Sequence, residues 1–106
     1  MDNRRVFQFL NDCLTKGETA VLVTVIAVEG SSMRGPGTHM GVAVDGSFVG
    51  SLSGGCIENA VVAEALEALQ AGEARTVRFG SGSRYIDIKL PCGGGLDIHF
   101  LPATVL

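Results

Sequence analysis

The chain has 106 residues, of which 46% are hydrophobic and 18% are charged, a composition typical of one folded domain and unlike that of a disordered chain. The net charge is −3, tryptophan is absent and the basic residues form no run, so nucleic-acid binding is disfavoured.

Membrane insertion and secretion are also disfavoured by the sequence. The longest apolar run, Ala20 to Val28, is far shorter than the roughly 20 residues that a membrane-spanning helix needs. The N-terminus has no apolar stretch of the kind found in signal peptides. We therefore expect a cytoplasmic protein, in which three widely spaced cysteines remain thiols and form no disulfide framework.

The periodicity of the apolar residues predicts an α+β domain spanning residues 1–106. An N-terminal helix is predicted over Asp2–Lys16, with Cys13 on its apolar face as a core residue. Ala20–Val28 is predicted to be a central strand, covered on both faces. The remaining predicted elements are strands at 40–44 and 47–49 joined by a type I′ turn at Asp45-Gly46, a helix at 57–71, and strands at 75–79, 86–90 and 96–101. The apolar stripe of the second helix is predicted to be Ile57, Val61, Ala65, Leu66 and Leu69, and Gly72 is predicted to end that helix. This order favours one mixed or antiparallel sheet with both helices packed on it.

Most of the 15 glycines lie in three segments at the ends of predicted strands. We call them the first (residues 29–37), second (residues 51–56) and third (residues 91–95) glycine-rich segments. Each carries one residue whose side chain could bind a ligand or take part in a reaction, namely Arg34, Cys56 and Cys92. Because glycine has no Cβ, main-chain N–H groups in such segments can approach an anion closely.

The second segment allows the most specific prediction of the three, because Ser53-Gly54-Gly55-Cys56 leads directly into a predicted helix. The unpaired N–H groups of a first helical turn favour phosphates and other anions, and the same field favours the thiolate form of a cysteine. The alternative is a serine-capped helix with a packed Cys56, and spacing alone leaves both open. Glu58 falls in the first helical turn, where a carboxylate stabilises the helix itself.

The other polar candidates are more ambiguous. Arg34 is suited to phosphate recognition or is a solvated loop residue, and Cys92 is a ligand or a small residue in a turn. His39 and His99 are minor candidates for ligands. His99 alternates with apolar neighbours in the last predicted strand, so the alternative is a side chain that faces solvent or a partner. A zinc site is disfavoured because no C-x-x-C pair is present, and no P-loop follows Gly54-Gly55.

Taken together, the three segments resemble the XdhC/CoxI family. Residues 30–40 (GSSMRGPGTHM) resemble that family's GSSPRPPGAKM element, residues 50–58 (GSLSGGCIE) its GSVSGGCVE element, and residues 91–94 (PCGG) its late CGG element. The order and spacing also match, over nearly the whole chain. Among the differences, Met33 and Gly35 replace prolines, and His39 stands where lysine or arginine is common. The family's common C-terminal Rossmann-type domain is absent from these 106 residues.

The resemblance implies an accessory protein, more a chaperone than an enzyme. Members of the family transiently bind molybdenum cofactor, as molybdopterin or its cytosine dinucleotide form. They promote its sulfuration with a cysteine desulfurase and deliver it to an apo molybdenum hydroxylase of the xanthine dehydrogenase or carbon monoxide dehydrogenase type. Cys56 and Cys92 are then the expected reactive thiols and molybdenum ligands. The expected cofactor-binding residues are Ser31, Ser32, Arg34, Ser53, Gly54, Gly55, Cys56, Cys92, Gly93 and Gly94.

Two rival interpretations remain open. A thiol redox protein would use Cys56 as nucleophile and Cys92 as resolving thiol, and would readily form a disulfide between them. A non-catalytic interaction module would instead pair its apolar strands with another subunit and bind no small molecule. The low charge content also favours a homodimer.

Overall fold

The structure, a computed structural model, describes residues 3–28, 37–50, 58–80 and 95–103. These residues confirm the α+β class. Within them, no helix is long and apolar enough to cross a membrane. The predicted strand at 86–90 lies outside the described residues. The helices are α1 (Asn3–Thr15) and α2 (Glu58–Ala71), and the strands are β1 (Ala20–Val28), β2 (His39–Ala43), β3 (Phe48–Val49), β4 (Arg75–Gly80) and β5 (Gly95–Ala103).

The five strands form one antiparallel sheet in the order β3-β2-β1-β5-β4. Of the two sheet types that the sequence left open, the antiparallel one is therefore correct. β1 is the middle strand and pairs with both β2 and β5, as its continuous apolar run predicted. An irregularity between Val25 and Ala27 shifts the register against β5 by one residue.

The two helices pack on opposite faces of this sheet. Successive side chains of a strand point to opposite sides, so one strand contributes residues to both of the resulting cores. Val21, Val23 and Val25 of β1 belong to the larger core, beneath α2, whereas Ala20 belongs to the smaller core, beneath α1. The larger core is completed by the buried side chains Met40, Val42, Val61, Ala65, Ala68, Phe79, Ile98 and Phe100.

The smaller core explains why α1 is amphipathic. Val6, Leu10 and Cys13 recur at helical spacing and pack against Ala20 and Ala43 of the sheet. Cys13 is buried, as expected for a small core residue. The sequence therefore located this helix and its buried face correctly, within one residue at each end.

The predicted Asp45-Gly46 pair does lie in the turn between β2 and β3, but the predicted type I′ turn is wrong. A type I′ turn needs a positive φ at both residues, and here Gly46 alone of the two has one, while its N–H donates to the Ala43 carbonyl at 2.9 Å. Gly46 adopts a φ of +89°, a backbone conformation that residues with a Cβ rarely adopt. The Asp45 carboxylate accepts hydrogen bonds from the main-chain N–H of Ser47 at 2.9 Å and from its hydroxyl at 2.6 Å. These bonds to Ser47 hold the pKa of Asp45 below its ordinary value.

Candidate functional site

The two ends of the sheet are built differently. At one end, which we call the turn end, short connections at residues 16–19, 44–47 and 72–74 link consecutive elements. The register places these connections together, because Ala20 at the start of β1 pairs with both Ala43 and Ala103, and Arg75 at the start of β4 pairs with Phe100. Each of these connections has only three or four residues.

The opposite end, which we call the segment end, holds the described residues that lie next to the three glycine-rich segments. Val28 and His39 flank the first segment, at the end of β1 and the start of β2. Gly95 is the last residue of the third segment and the first of β5, and it pairs with Gly80 at the end of β4. Gly50 precedes the second segment and lies against the main chain of His39. All three segments are therefore anchored at the same end of the sheet.

Helix α2 points its N-terminus toward the segment end. Only three residues separate Ala71 from Arg75, so the helix returns along the sheet antiparallel to β4. Its first residue, Glu58, directly follows residues 51–57. The unpaired N–H groups and partial positive charge of a helix N-terminus are thus directed to the end of the sheet where the three segments attach.

The residues expected to bind the cofactor all lie outside the described residues. They are Ser31, Ser32, Arg34, Ser53, Gly54, Gly55, Cys56, Cys92, Gly93 and Gly94. The roles of Cys56 and Cys92 as reactive thiols and metal ligands therefore stay predictions. What the structure brings together is the set of strand and helix ends from which these residues depart.

His39 is held in place by two neighbours at the segment end. Its Nδ1 lies 2.9 Å from the Thr24 hydroxyl on β1, and its ring meets the Phe7 ring edge-on, with centroids 5.1 Å apart. These contacts link β2 to both β1 and α1. His39 therefore has a structural role at the start of β2, which the sequence alone did not predict.

A second histidine continues the same polar row across the sheet. Thr24 is opposite His39 on one side and His99 on the other, and His99 Nδ1 lies 3.2 Å from the Thr76 hydroxyl on β4. The row faces the side of the sheet that carries α1, away from the larger core. The alternation of β5 predicted that His99 faces away from this core, but its partner Thr76 could only be identified from the strand register.

Arg78 and Arg75 of β4 each lie near a carboxylate, at different ends of the strand. Arg78 and Asp97 form an ion pair at 3.3 Å near the segment end, and both are partly exposed. Toward the turn end, Arg75 Nη1 lies 3.9 Å from Oε2 of Glu64, a carboxylate only 1% exposed beneath α2. The sequence analysis missed this buried carboxylate, although Glu64 occupies a position of the helical repeat next to Val61 and Ala65.

Cys13 is the one cysteine among the described residues, and it lies in the smaller core. Burial raises the pKa of its thiol, and the nearby Glu18 carboxylate adds to this effect. Such a thiol is a poor nucleophile at neutral pH. Among the described residues, no group of three or more His, Cys, Asp or Glu side chains is arranged to hold a metal ion.

Comparison with known proteins gives three findings. The model of the XdhC and CoxI family matches residues 13–80. A molybdenum cofactor insertion chaperone, PaoD of Escherichia coli strain K12, is 43% identical over 97 residues, which cover 92% of this chain and 30% of PaoD. A crystal structure of a xanthine dehydrogenase from Bacillus halodurans superposes with a TM-score of 0.73 at 32% identity, over 90% of this chain and 29% of that one. This chain thus spans less than a third of either protein.

Proposed function

Because the chain belongs to the XdhC and CoxI family, we propose that it is a chaperone that binds molybdenum cofactor and helps to insert it into a molybdenum hydroxylase. The similarity to a named molybdenum cofactor insertion chaperone supports this function, since it extends over 92% of the chain. The cofactor is then cargo, held transiently and passed on.

One structural observation carries the proposal, namely that the three glycine-rich segments are anchored at one end of the sheet. Residues from distant parts of the sequence can act on one ligand only if their attachment points are close together. The turn end, by contrast, offers only short connections. The α2 N-terminus also points to the segment end, which favours an anionic group there.

The donor types in the segments suit the chemistry of this cargo. Molybdenum cofactor carries a phosphate, a pterin ring and a molybdenum bound by dithiolene sulfur. We propose that Arg34 and the N–H groups of Gly54 and Gly55 hold the phosphate. Cys56 and Cys92 supply soft thiolates to the metal. Hydrogen-bonding groups of Ser31, Ser32, Ser53, Gly93 and Gly94 complete the proposed site.

The same proposal extends to partners. The client is an apo hydroxylase of the xanthine dehydrogenase or carbon monoxide dehydrogenase type, and a cysteine desulfurase supplies the sulfur for sulfuration. A homodimer is compatible with several exposed apolar side chains, among which Phe7 is 47% and Leu101 is 44% exposed. A reducing cytoplasm would keep Cys56 and Cys92 in the thiol form that this role needs.

The decisive experiment measures cofactor binding by the wild-type chain and by Cys56→Ala. We expect stoichiometric binding by the wild type and a loss of at least about tenfold in affinity for Cys56→Ala, because a thiolate ligand to the metal is removed. Cys92→Ala should weaken binding in the same direction. Delivery is measured separately, as the activity gained by an apo hydroxylase mixed with the loaded chaperone.

Cys13→Ala is the matched control, since it removes a thiol that is buried beneath α1 and far from the segment end. It should bind the cofactor as the wild type does. Undiminished binding by a folded Cys56→Ala variant contradicts the proposed site. If the wild type binds no cofactor and instead forms a Cys56–Cys92 disulfide with peroxide turnover, the thiol redox interpretation replaces this proposal.

A further inference from the structure

Helix α1 covers only part of its side of the sheet. It packs on β1, β2 and β3, and no helix among the described residues packs extensively on the same side of β5 and β4. The alternation with the buried residues of the larger core shows which side chains lie on this uncovered surface. We call it the open face, and it consists of Leu101, His99, Asp97, Thr76 and Arg78. All five are exposed or partly exposed, and Leu101 is 44% exposed although it is apolar.

The open face is electrically balanced, in a chain whose net charge is −3. Arg78 and Asp97 are in register on neighbouring strands, and Nη1 of Arg78 lies 3.3 Å from Oδ1 of Asp97. On the opposite side of the sheet, α2 carries three glutamates and no basic residue. Like charges that meet across an interface oppose association. The open face is therefore better suited than the α2 side to contact with an identical copy.

A two-fold axis would match the residues of the open face in complementary pairs. An axis that runs parallel to the strands, between β4 and β5, places β5 of one copy over β4 of the other. Asp97 is in register with Arg78, and His99 with Thr76. Asp97 then lies over Arg78 of the second copy, and His99 over Thr76 of the second copy. Because such an interface is isologous, each of these pairs occurs twice.

The height of α1 above the sheet also suits this arrangement. An α-helix with its side chains is about 10–12 Å across, and stacked sheets lie about 10 Å apart. A second sheet placed over β5 and β4 would therefore fill the same layer as α1, with α1 beside its edge. The step between α1 and the open face of one copy thus fits the same step of the other.

We propose that the open face is the contact surface of a homodimer, in which two copies stack these faces about a two-fold axis. The proposal rests on the proposed function in one respect, since it names the surface of the homodimer included there. Stacking removes Leu101 from water in both copies and gives each Arg78 and each Asp97 a second partner of opposite charge.

Sedimentation velocity of the full chain tests the surface. The wild type should dimerise, and Leu101→Glu should weaken the dimer at least about tenfold, because stacking would bury an additional carboxylate. Phe48→Glu is the matched control. Phe48 is 42% exposed, but it is in register with Val42 of the larger core and so lies on the α2 side. It should dimerise as the wild type does. A monomeric wild type, or equal losses in the two variants, overturns the proposal.

A charge-exchange experiment tests the pairing itself. Arg78→Glu and Asp97→Lys should each weaken the dimer at least about tenfold when studied alone, since each places like charges opposite each other twice. A mixture of the two variants should recover dimers, because both pairs between the copies then join opposite charges. The ion pair within each copy stays broken on mixing, so recovery cannot come from repair of the fold. Absence of recovery on mixing refutes the two-fold arrangement.

No arm of these experiments needs the cofactor, so the two proposals fail separately. A chain that dimerises through the open face but binds no cofactor supports this inference and contradicts the proposed function. A chain that binds the cofactor as a monomer at every concentration does the reverse.

Discussion

At the scale of single residues, the burial of Cys13 sets it apart from the chemistry that we propose for Cys56 and Cys92. Cys13 packs between α1 and the sheet, and desolvation there raises the pKa of its thiol. In the proposed site, main-chain N–H groups of the glycine-rich segments would instead favour the thiolate forms of Cys56 and Cys92. A reagent whose rate of reaction depends on the thiolate fraction should therefore distinguish Cys13 from the other two cysteines without any cofactor present.

We predict that iodoacetamide modifies Cys13 in the folded protein at least about tenfold more slowly than in the unfolded protein at pH 8. Because the folded pKa of Cys13 is raised, its contribution to stability is complete below the ordinary thiol pKa and decreases as the pH rises past it. Denaturant titrations between pH 7 and pH 10 should show this decrease in the wild type and a smaller one in Cys13→Ala. Rapid native alkylation of Cys13 would contradict the burial argument.

The residue scale also shows where sequence reasoning stops. The apolar repeat located Cys13, and the alternation of β5 indicated that His99 faces away from the larger core. Neither pattern could reveal that Thr24 stands between two histidines, because that row depends on the register of four strands. Arg34, Cys56 and Cys92 were singled out from the glycine-rich segments that carry them, but their assignment to one cofactor site came from the resemblance, since side chains on such segments follow no hydrophobic period.

At the scale of elements, α2 illustrates why a helix was predicted in the right place but with an incomplete buried face. Its boundaries were predicted to within one residue, from an apolar stripe followed by Gly72. The fully buried positions are Val61, Ala65 and Ala68, with Glu64 beside them. Alanine gives little apolar signal, so its burial follows from the close approach of α2 to the sheet and not from composition.

We predict that Ala68→Leu destabilises the protein by about 1–3 kcal/mol, because Ala68 is fully buried in the larger core and three extra carbon atoms must fit between α2 and the sheet. Ala63→Leu, on the exposed side of the same helix, is the matched control and should change the free energy of unfolding by less than about 0.5 kcal/mol. Urea unfolding measures both. Equal stability of the two variants would mean that α2 packs loosely on the sheet.

At the scale of the whole molecule, the two ends of the sheet differ in the parts of the chain that they carry. The turn end holds short connections that fix the order of the elements, including the Asp45-Gly46 hairpin. The segment end anchors the three motifs through Val28, His39, Gly50, Gly80 and Gly95. The antiparallel pairing produces this arrangement, since every second connection returns to the same end. The sequence predicted the motifs and the strands but not this common anchoring, which requires the strand order.

The proposed difference in function between the two ends of the sheet can be tested by placing the same insertion at either end. We predict that Gly-Ser-Gly-Ser inserted between Asp45 and Gly46 lowers the free energy of unfolding by about 1 kcal/mol and leaves cofactor binding unchanged. The same four residues between Ser51 and Leu52 should cost similar stability yet weaken cofactor binding at least about tenfold, because Cys56 and the α2 N-terminus lose their fixed relation to the other two segments. Thermal unfolding and binding titrations give the two quantities independently. If both insertions weaken binding equally, the ligand does not depend on the segment end, and the turn end must contribute to its site.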